Sequence, residues 1–223
     1  MTKIAIVDYG MSNLHSVARA LQYASPEATI RICNNPKDIL ESDRVILPGQ
    51  GAMSDTMINL QKSGLIEAVK QSANSKPMMG ICVGLQMLFE SSEEASNTKC
   101  LNFLKGKVYL FKGPLFAKKE IKSNIENDTN KNLLKVPHIG WNTVKQCKNH
   151  ILWKDIPDKT HFYFVHSYYI KPSDSSIIMG ETNYGLSFPS AVISNNIFAV
   201  QFHPEKSSQY GLILYRNFVN WKP

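Results

Sequence analysis

A chain of 223 residues, 43% of them hydrophobic, can bury one sizeable core, and no Pro/Gly-rich linker or compositional shift divides it, so a single domain over 1–223 is expected. Its 25 basic residues outnumber 18 acidic ones for a formal charge of +7, but only four are arginines and the 21 lysines are spread along the chain, which argues against nucleic-acid binding. No apolar run reaches membrane-spanning length, and the opening run Lys3 to Asp8 is too short for a signal peptide. Four scattered cysteines, Cys33, Cys82, Cys100 and Cys147, offer neither a zinc-ligand spacing nor a disulfide framework. A cytoplasmic protein without metal or cofactor is expected.

Lys3 to Asp8 reads as a continuous apolar strand of the kind buried on both faces of a parallel sheet. Ser12 can cap the helix that follows, in which Leu14, Val17, Ala18 and Leu21 recur at helical spacing. Thr29 to Cys33 is a second strand, and Asn35-Pro36 opens another helical segment. Arg44 to Leu47 is a third strand ending in Pro48-Gly49-Gln50-Gly51-Ala52, Gly64 to Gln71 is helical, and a fourth strand leads to Cys82. This alternation predicts an α/β fold: a doubly wound, mostly parallel central sheet with flanking helices, whose ligands bind beyond the carboxyl ends of its strands.

The second half reads as β-rich. Its strand candidates are Gly106 to Phe111, Val136 to Val144, Phe162 to Ile170, Ser190 to Ser194 and Ile197 to Phe202, with Asn195-Asn196 as a hairpin turn between the last two. The Lys/Asn/Glu-rich stretch Lys118 to Lys135 is expected to be a solvated loop or small insertion. An amphipathic helix carrying Leu212, Leu214, Tyr215, Phe218, Val219 and Trp221 closes the chain.

Around Cys82 the pattern turns chemical. Gly80-Ile81-Cys82-Val83-Gly84 places a cysteine between two glycines where the fourth strand meets a helix-like run from Val83 to Glu90, the arrangement of a nucleophile elbow. Such a corner is tight, and a Cβ on either flank would clash with neighbouring chain. The helix N-terminus favours thiolate over thiol.

A base is then required. Of six histidines, His203 ends an apolar strand and is followed by Pro204 and Glu205; residues i and i+2 of an extended chain point to the same side, so a carboxylate lies beside the imidazole. Cys82, His203 and Glu205 thus form a candidate set of nucleophile, base and orienter. For the oxyanion of an acyl transfer, the N–H of Val83 is the first candidate donor and the loop Gly49-Gln50-Gly51 the second. Gln86, one turn beyond Cys82, can either hydrogen-bond an amide substrate or face solvent.

Gly80 to Gln86 together with Gln201-Phe202-His203-Pro204-Glu205-Lys206-Ser207 resembles the class I, triad-type glutamine amidotransferases. Asp8 to Leu14, Leu47 to Gly51, Pro137-His138-Ile139-Gly140-Trp141-Asn142 and Phe164-Val165-His166-Ser167-Tyr168 resemble, within that family, the glutaminase subunits of imidazole glycerol phosphate synthases. The resemblance runs from Lys3 to Trp221 and implies one amidotransferase domain. It implies that Cys82 carries a γ-glutamyl thioester, that His203 shuttles protons and that Glu205 orients it. Gly49, Gln50, Gly51 and Val83 then correspond to the oxyanion region, and Gln86, His166, Ser167 and Tyr168 to glutamine contacts.

By the same resemblance Asn13, Trp141, Asn142 and Tyr163 face a partner, a (β/α)₈ cyclase subunit in a heterodimer with an ammonia tunnel between the two. The complex would make imidazole glycerol phosphate and an aminoimidazole carboxamide ribotide in histidine biosynthesis. The chain departs from the pattern in two places, Gln50 where a small apolar residue is common and a longer, more polar Lys118 to Lys135. Gln50 suggests that the second oxyanion donor turns into place only when the partner's acceptor site is filled. The chain itself has no phosphate loop and no dinucleotide fingerprint, so the acceptor chemistry belongs on another protein. The alternatives are a glutaminase subunit serving another ammonia-using synthase, or a cysteine hydrolase of similar fold.

Overall fold

The computed structural model describes residues 1–11, 13–95, 97–117 and 133–223. Ser12 and residues 118–132 of the polar stretch lie outside the described residues. The first half alternates as its pattern predicts: β1 (Lys3–Val7), α1 (Leu14–Ala24), β2 (Thr29–Cys33), α2 (Pro36–Leu40), β3 (Arg44–Gly49), α3 (Met53–Lys62), α4 (Ile66–Ser75), β4 (Met78–Cys82) and α5 (Val83–Met87). After these come two short strands, β5 (Ser91–Ser92) and β6 (Thr98–Lys99), then β7 (Gly106–Leu110), β8 (His138–Gln146), β9 (Thr160–His166), β10 (Tyr168–Pro172), β11 (Ile178–Asn183), β12 (Ser187–Ser194), β13 (Ile197–Val200) and α6 (Ser208–Asn220).

Among the described residues nine strands form one sheet in the order β2-β1-β3-β4-β13-β12-β11-β8-β9. Its first five strands pair in parallel and its last four join antiparallel, so the sheet is mixed, with a parallel half and an antiparallel half. A smaller sheet, β10-β7-β5-β6, lies beside it. The strands β1, β3, β4 and β13 are almost wholly buried and apolar because helices cover both faces of a parallel sheet.

Helix α1 buries Leu14, Val17 and Leu21 at three- and four-residue spacing and is capped by Asn13, whose side chain accepts from the N–H of Ser16. Helix α2 starts on Asn35, whose side chain accepts from the Asp38 N–H, with Pro36 in the first turn. At its far end the Lys76 ammonium donates to the carbonyls of Ile39, Leu40 and Ser42, satisfying groups that the helix leaves open.

The pattern reading marks no strand at β5, β6 or β11, and three further stretches differ from it. Helix α3 shows no strong apolar stripe, burying only Met53, Thr56 and Leu60, and Ala52 gives it no side-chain cap. Its first N–H, on Met53, is instead satisfied by the distant carboxylate of Glu94 at 2.7 Å. The run from Val83 stays helical only to Met87. The segment Phe162 to Ile170 is two strands, β9 on the edge of the large sheet and β10 in the small one, broken at Ser167. Among the described residues no helix is long and apolar enough to cross a membrane.

Candidate active site

Strands β3, β4 and β13 lie side by side, and their carboxyl ends bring Gly49, Cys82 and the run into His203 to one place. Cys82 is the last residue of β4 and precedes α5 with φ 55° and ψ −111°. That left-handed backbone is unfavourable for a residue with a Cβ and costs on the order of 1–3 kcal/mol, so the packing around it must enforce it. The glycines show how. A Cβ on Gly84 would sit 1.9 Å from the carbonyl oxygen of Leu47, one on Gly80 would sit 2.9 Å from the Gly84 carbonyl oxygen, and one on Gly49 would sit 2.6 Å from the Gly84 nitrogen. Strand β3 and the elbow are in backbone contact, which only glycine permits.

His203 follows β13 after Gln201 and Phe202 and is tied down from β9: its N–H donates to the Tyr163 carbonyl at 2.9 Å, and its own carbonyl accepts from the Ser207 hydroxyl at 2.6 Å. Its Nδ1 lies 2.7 Å from Glu205 Oε1, and both side chains are buried. Tyr215 of α6 donates its hydroxyl to the other carboxylate oxygen at 3.3 Å. Because a carboxylate accepts, the proton of the ring lies on Nδ1 and Nε2 is the working nitrogen. Nε2 is buried, makes no hydrogen bond of regular geometry, and interacts with Cys82. Burial opposes a charge on this ring, but Cys82 and then Glu205 outweigh it and hold the imidazole up at about 10.

A cavity of about 440 Å³ opens over the elbow, lined by Gln50, Gly51, Cys82, Val83, Gln86, His166, Ser167, Tyr168 and His203. Glu94, Pro137, Val165 and Lys206 line it too; the last three fall inside the motif stretches without a site role of their own, and Glu94 falls in none. Glu94 is its only acidic residue among the described residues, and only the fold brings it there, because it lies between β5 and β6. Gly49 lies outside this cavity, beside a smaller one shared with Asn13, His203 and Glu205.

The corner where β9 gives way to β10 supplies His166, Ser167 and Tyr168. His166 Nδ1 is 2.8 Å from the Tyr168 carbonyl, and its Nε2 is 3.0 Å from Nδ1 of His138. Gln86 is buried, not solvent-facing: its amide nitrogen donates to the Tyr168 carbonyl at 2.9 Å and to Gln201 Oε1 at 3.0 Å.

The four residues expected at a partner surface divide. Trp141 is 52% exposed and stands opposite Tyr163 in the β8–β9 register, their rings 6.1 Å apart, with exposed Ile139 on the same strand. Asn142 is turned inward, its amide nitrogen engaged by the Asn183 carbonyl and by His138. Asn13 caps α1 at the mouth of the smaller cavity.

The family model for class-I glutamine amidotransferases matches residues 5–221. The chain belongs to the class-I glutamine amidotransferase family. The imidazole glycerol phosphate synthase subunit HisH of Nitrosospira multiformis is 52% identical to it over 223 residues, covering 100% of both chains. The same subunit of Thiobacillus denitrificans is 48% identical over 220 residues, covering 99% of this chain and 92% of its own. Among solved structures, one glutamine amidotransferase superposes with a TM-score of 0.66 at 15% identity over 96% of each chain. Another, from Thermotoga maritima, gives 0.57 at 16% identity over 94% of this chain and 78% of its own. At such identities these two show the shared fold of the amidotransferase domain. Among the described residues no cluster of three or more His, Cys, Asp or Glu side chains is arranged to hold a metal ion.

Proposed function

We propose that this amidotransferase is the glutaminase subunit of a cytoplasmic imidazole glycerol phosphate synthase, hydrolysing glutamine and passing the ammonia to a cyclase subunit in a heterodimer. The observation that carries the reading is the meeting of Cys82 and His203 at one cavity, with Glu205 2.7 Å behind the imidazole. The near-full-length identity to HisH subunits supports the choice of synthase.

In this mechanism the Cys82 sulfur attacks the side-chain amide of glutamine to give a tetrahedral oxyanion, which Val83 and the Gln50-Gly51 part of the loop, the part that lines the cavity, stabilise through backbone N–H groups. His203 Nε2 protonates the departing nitrogen, ammonia leaves, and His203 then draws a proton from the water that frees glutamate from the thioester. Glu205 holds the tautomer and offsets the imidazolium charge. Glu94 supplies the negative charge that an α-ammonium group needs in the cavity, while Gln86, Ser167 and Tyr168 shape its wall.

Ammonia released to water would be protonated and lost as a nucleophile, so it has to leave under cover of a partner. Trp141, Tyr163 and Ile139 supply an apolar and aromatic face for such a partner, a (β/α)₈ cyclase. The cyclase would use the ammonia to form imidazole glycerol phosphate and an aminoimidazole carboxamide ribotide.

The test is glutamate release from glutamine by this protein mixed with the cyclase subunit and its ribonucleotide substrate, beside a Cys82→Ala control. Activity that needs the full mixture and vanishes in the control is the expected result. Labelling of Cys82 by a glutamine-analogue electrophile, without turnover in that mixture, would keep the glutaminase and reassign its synthase. Neither labelling nor turnover would end the reading.

A further inference from the structure

The triad leaves one buried polar side chain next to its sulfur without a role. Gln201 lies just past β13, two residues before His203, and is 0% exposed. Its Oε1 accepts from Gln86 Nε2 at 3.0 Å, and the same Gln86 nitrogen donates its second hydrogen to the Tyr168 carbonyl at 2.9 Å. A backbone carbonyl can only accept, so that end of Gln86 is its NH₂ group. A donor there makes the facing atom of Gln201 its oxygen, and the remaining end of Gln201 is therefore its NH₂ group. That nitrogen lies 3.8 Å from Cys82 Sγ. The orientation of both amides thus follows from one main-chain oxygen.

On another side, Sγ lies 3.8 Å from the Val165 carbonyl of β9. A thiol can give its proton to that oxygen, whereas a thiolate there faces the negative end of a dipole. The two contacts suit opposite protonation states of the same atom. Gln201 is a neutral donor whose direction is set by a chain of hydrogen bonds independent of the sulfur. His166, which also lines the cavity, spends its one N–H on the Tyr168 carbonyl and accepts from His138 at its other nitrogen, so it has no donor left for the sulfur.

We propose that Gln201 is a further catalytic residue of this glutaminase: its amide N–H, oriented by the relay from Tyr168 through Gln86, hydrogen-bonds the Cys82 sulfur and holds it charged and positioned for attack. The proposal rests on the glutaminase reading of the site. The relay also uses both hydrogens of the Gln86 amide, leaving its Oε1 as the group of that side chain with capacity toward a substrate.

Gln201→Met keeps the length and apolar fit of the side chain and removes the donor. Alkylation of Cys82 by iodoacetamide at neutral pH, resolved by mass spectrometry from Cys33, Cys100 and Cys147, should slow about tenfold in this variant. With the cyclase and its substrate, kcat for glutamine should fall about tenfold or more while KM stays within about twofold. The double variant Gln86→Met/Gln201→Met should alkylate no more slowly than Gln201→Met alone, because the relay acts through Gln201. A folded Gln201→Met protein with wild-type alkylation rate and kcat would overturn the proposal. If that variant does not fold, Gln86→Met, which leaves the Gln201 amide undirected, should still slow alkylation, and an unchanged rate would overturn the proposal equally. Alkylation is read on this chain alone, so absence of glutamate release by the wild-type mixture would refute the glutaminase reading while the labelling still decides what Gln201 does to the sulfur.

Discussion

Nδ1 of His138 sits 3.0 Å from Nε2 of His166, and both rings are buried. The groups around the pair fix its protons. The Tyr168 carbonyl accepts from His166 Nδ1, so His166 Nε2 is bare and accepts from His138 Nδ1–H; His138 Nε2 is then bare and accepts from the Asn142 amide, whose second hydrogen goes to the Asn183 carbonyl. Both imidazoles are neutral, and the pair joins the cavity wall at Tyr168 to strand β8, which carries Trp141 on its exposed side.

Acid should therefore unfold this protein through the pair. Burial lowers His138 to about 4, and burial, reinforced by His138 and His203 against the Tyr168 carbonyl, lowers His166 to about 3, both from an ordinary 6.5. A depressed imidazole takes up its proton more readily in the unfolded chain, so the stability it contributes is complete above pH 6.5 and is lost as pH falls through 6.5 toward 4. Thermal unfolding followed from pH 8 to pH 4.5 should show a falling Tm, with a shallower slope in His138→Gln. Equal slopes in the two proteins would remove the pair as the cause.

The alkaline side has the opposite sign. His203 is held up at about 10, mainly by Cys82 working against burial, so its contribution is complete below pH 6.5 and is lost as pH rises toward 10. Replacing the thiol removes the largest source of that stabilisation. Cys82→Ala should accordingly lose less Tm than the wild type between pH 7 and pH 10. A parallel decline in both would show that the Cys82–His203 interaction does not carry the alkaline limb.

Much of this site can be read in the string of residues because its parts are local. Gly80, Cys82 and Gly84 announce a tight corner, and His203 with Glu205 are two residues apart on an extended chain. The first four strands follow equally, since each is a short apolar run between turn residues. What escapes is what depends on distant chain. Helix α3 is started by Glu94, 41 residues from Met53, and its sequence has no cap to reveal it. Strand β11 has its pairing register shifted at Gly180, which breaks the alternation that would mark it. The Gln86–Gln201 contact spans 115 residues and joins two side chains that pattern alone places in separate motifs. Phe162 to Ile170 is one β-rich run in sequence, and only the two sheets on either side of Ser167 break it into the corner that lines the cavity.

Backbone contact between β3 and the elbow makes Gly84 the least replaceable glycine there. The Cβ of Gly84→Ala would meet the Leu47 carbonyl at 1.9 Å, and neither chain can retreat without moving Cys82. Overpacking of this kind costs on the order of 3 kcal/mol. Gly140→Ala is the useful contrast, since its Cβ would meet nothing within 4 Å and its only cost is the left-handed φ of 131°. Chemical denaturation should place Gly84→Ala well below Gly140→Ala in stability, and Gly84→Ala should also lose labelling of Cys82. Equal stability of the two would mean that β3 yields more easily than its packing indicates.

Glu94 serves two elements at once, and its two roles separate in one substitution. Its Oε2 accepts from the first N–H of α3 at 2.7 Å, and among the described residues it is the one acidic side chain lining the cavity. Glu94→Gln keeps a carbonyl oxygen to cap the helix while removing the charge, so the loss in stability should stay within about 1 kcal/mol. Removal of that charge from a site for an α-ammonium group should act on binding: KM for glutamine rises about tenfold while kcat changes little. Steady-state glutamate release in the reconstituted complex measures both. If kcat falls and KM holds, Glu94 acts on the reaction through α3 and the neighbouring Gly51 loop, and the ammonium assignment is wrong.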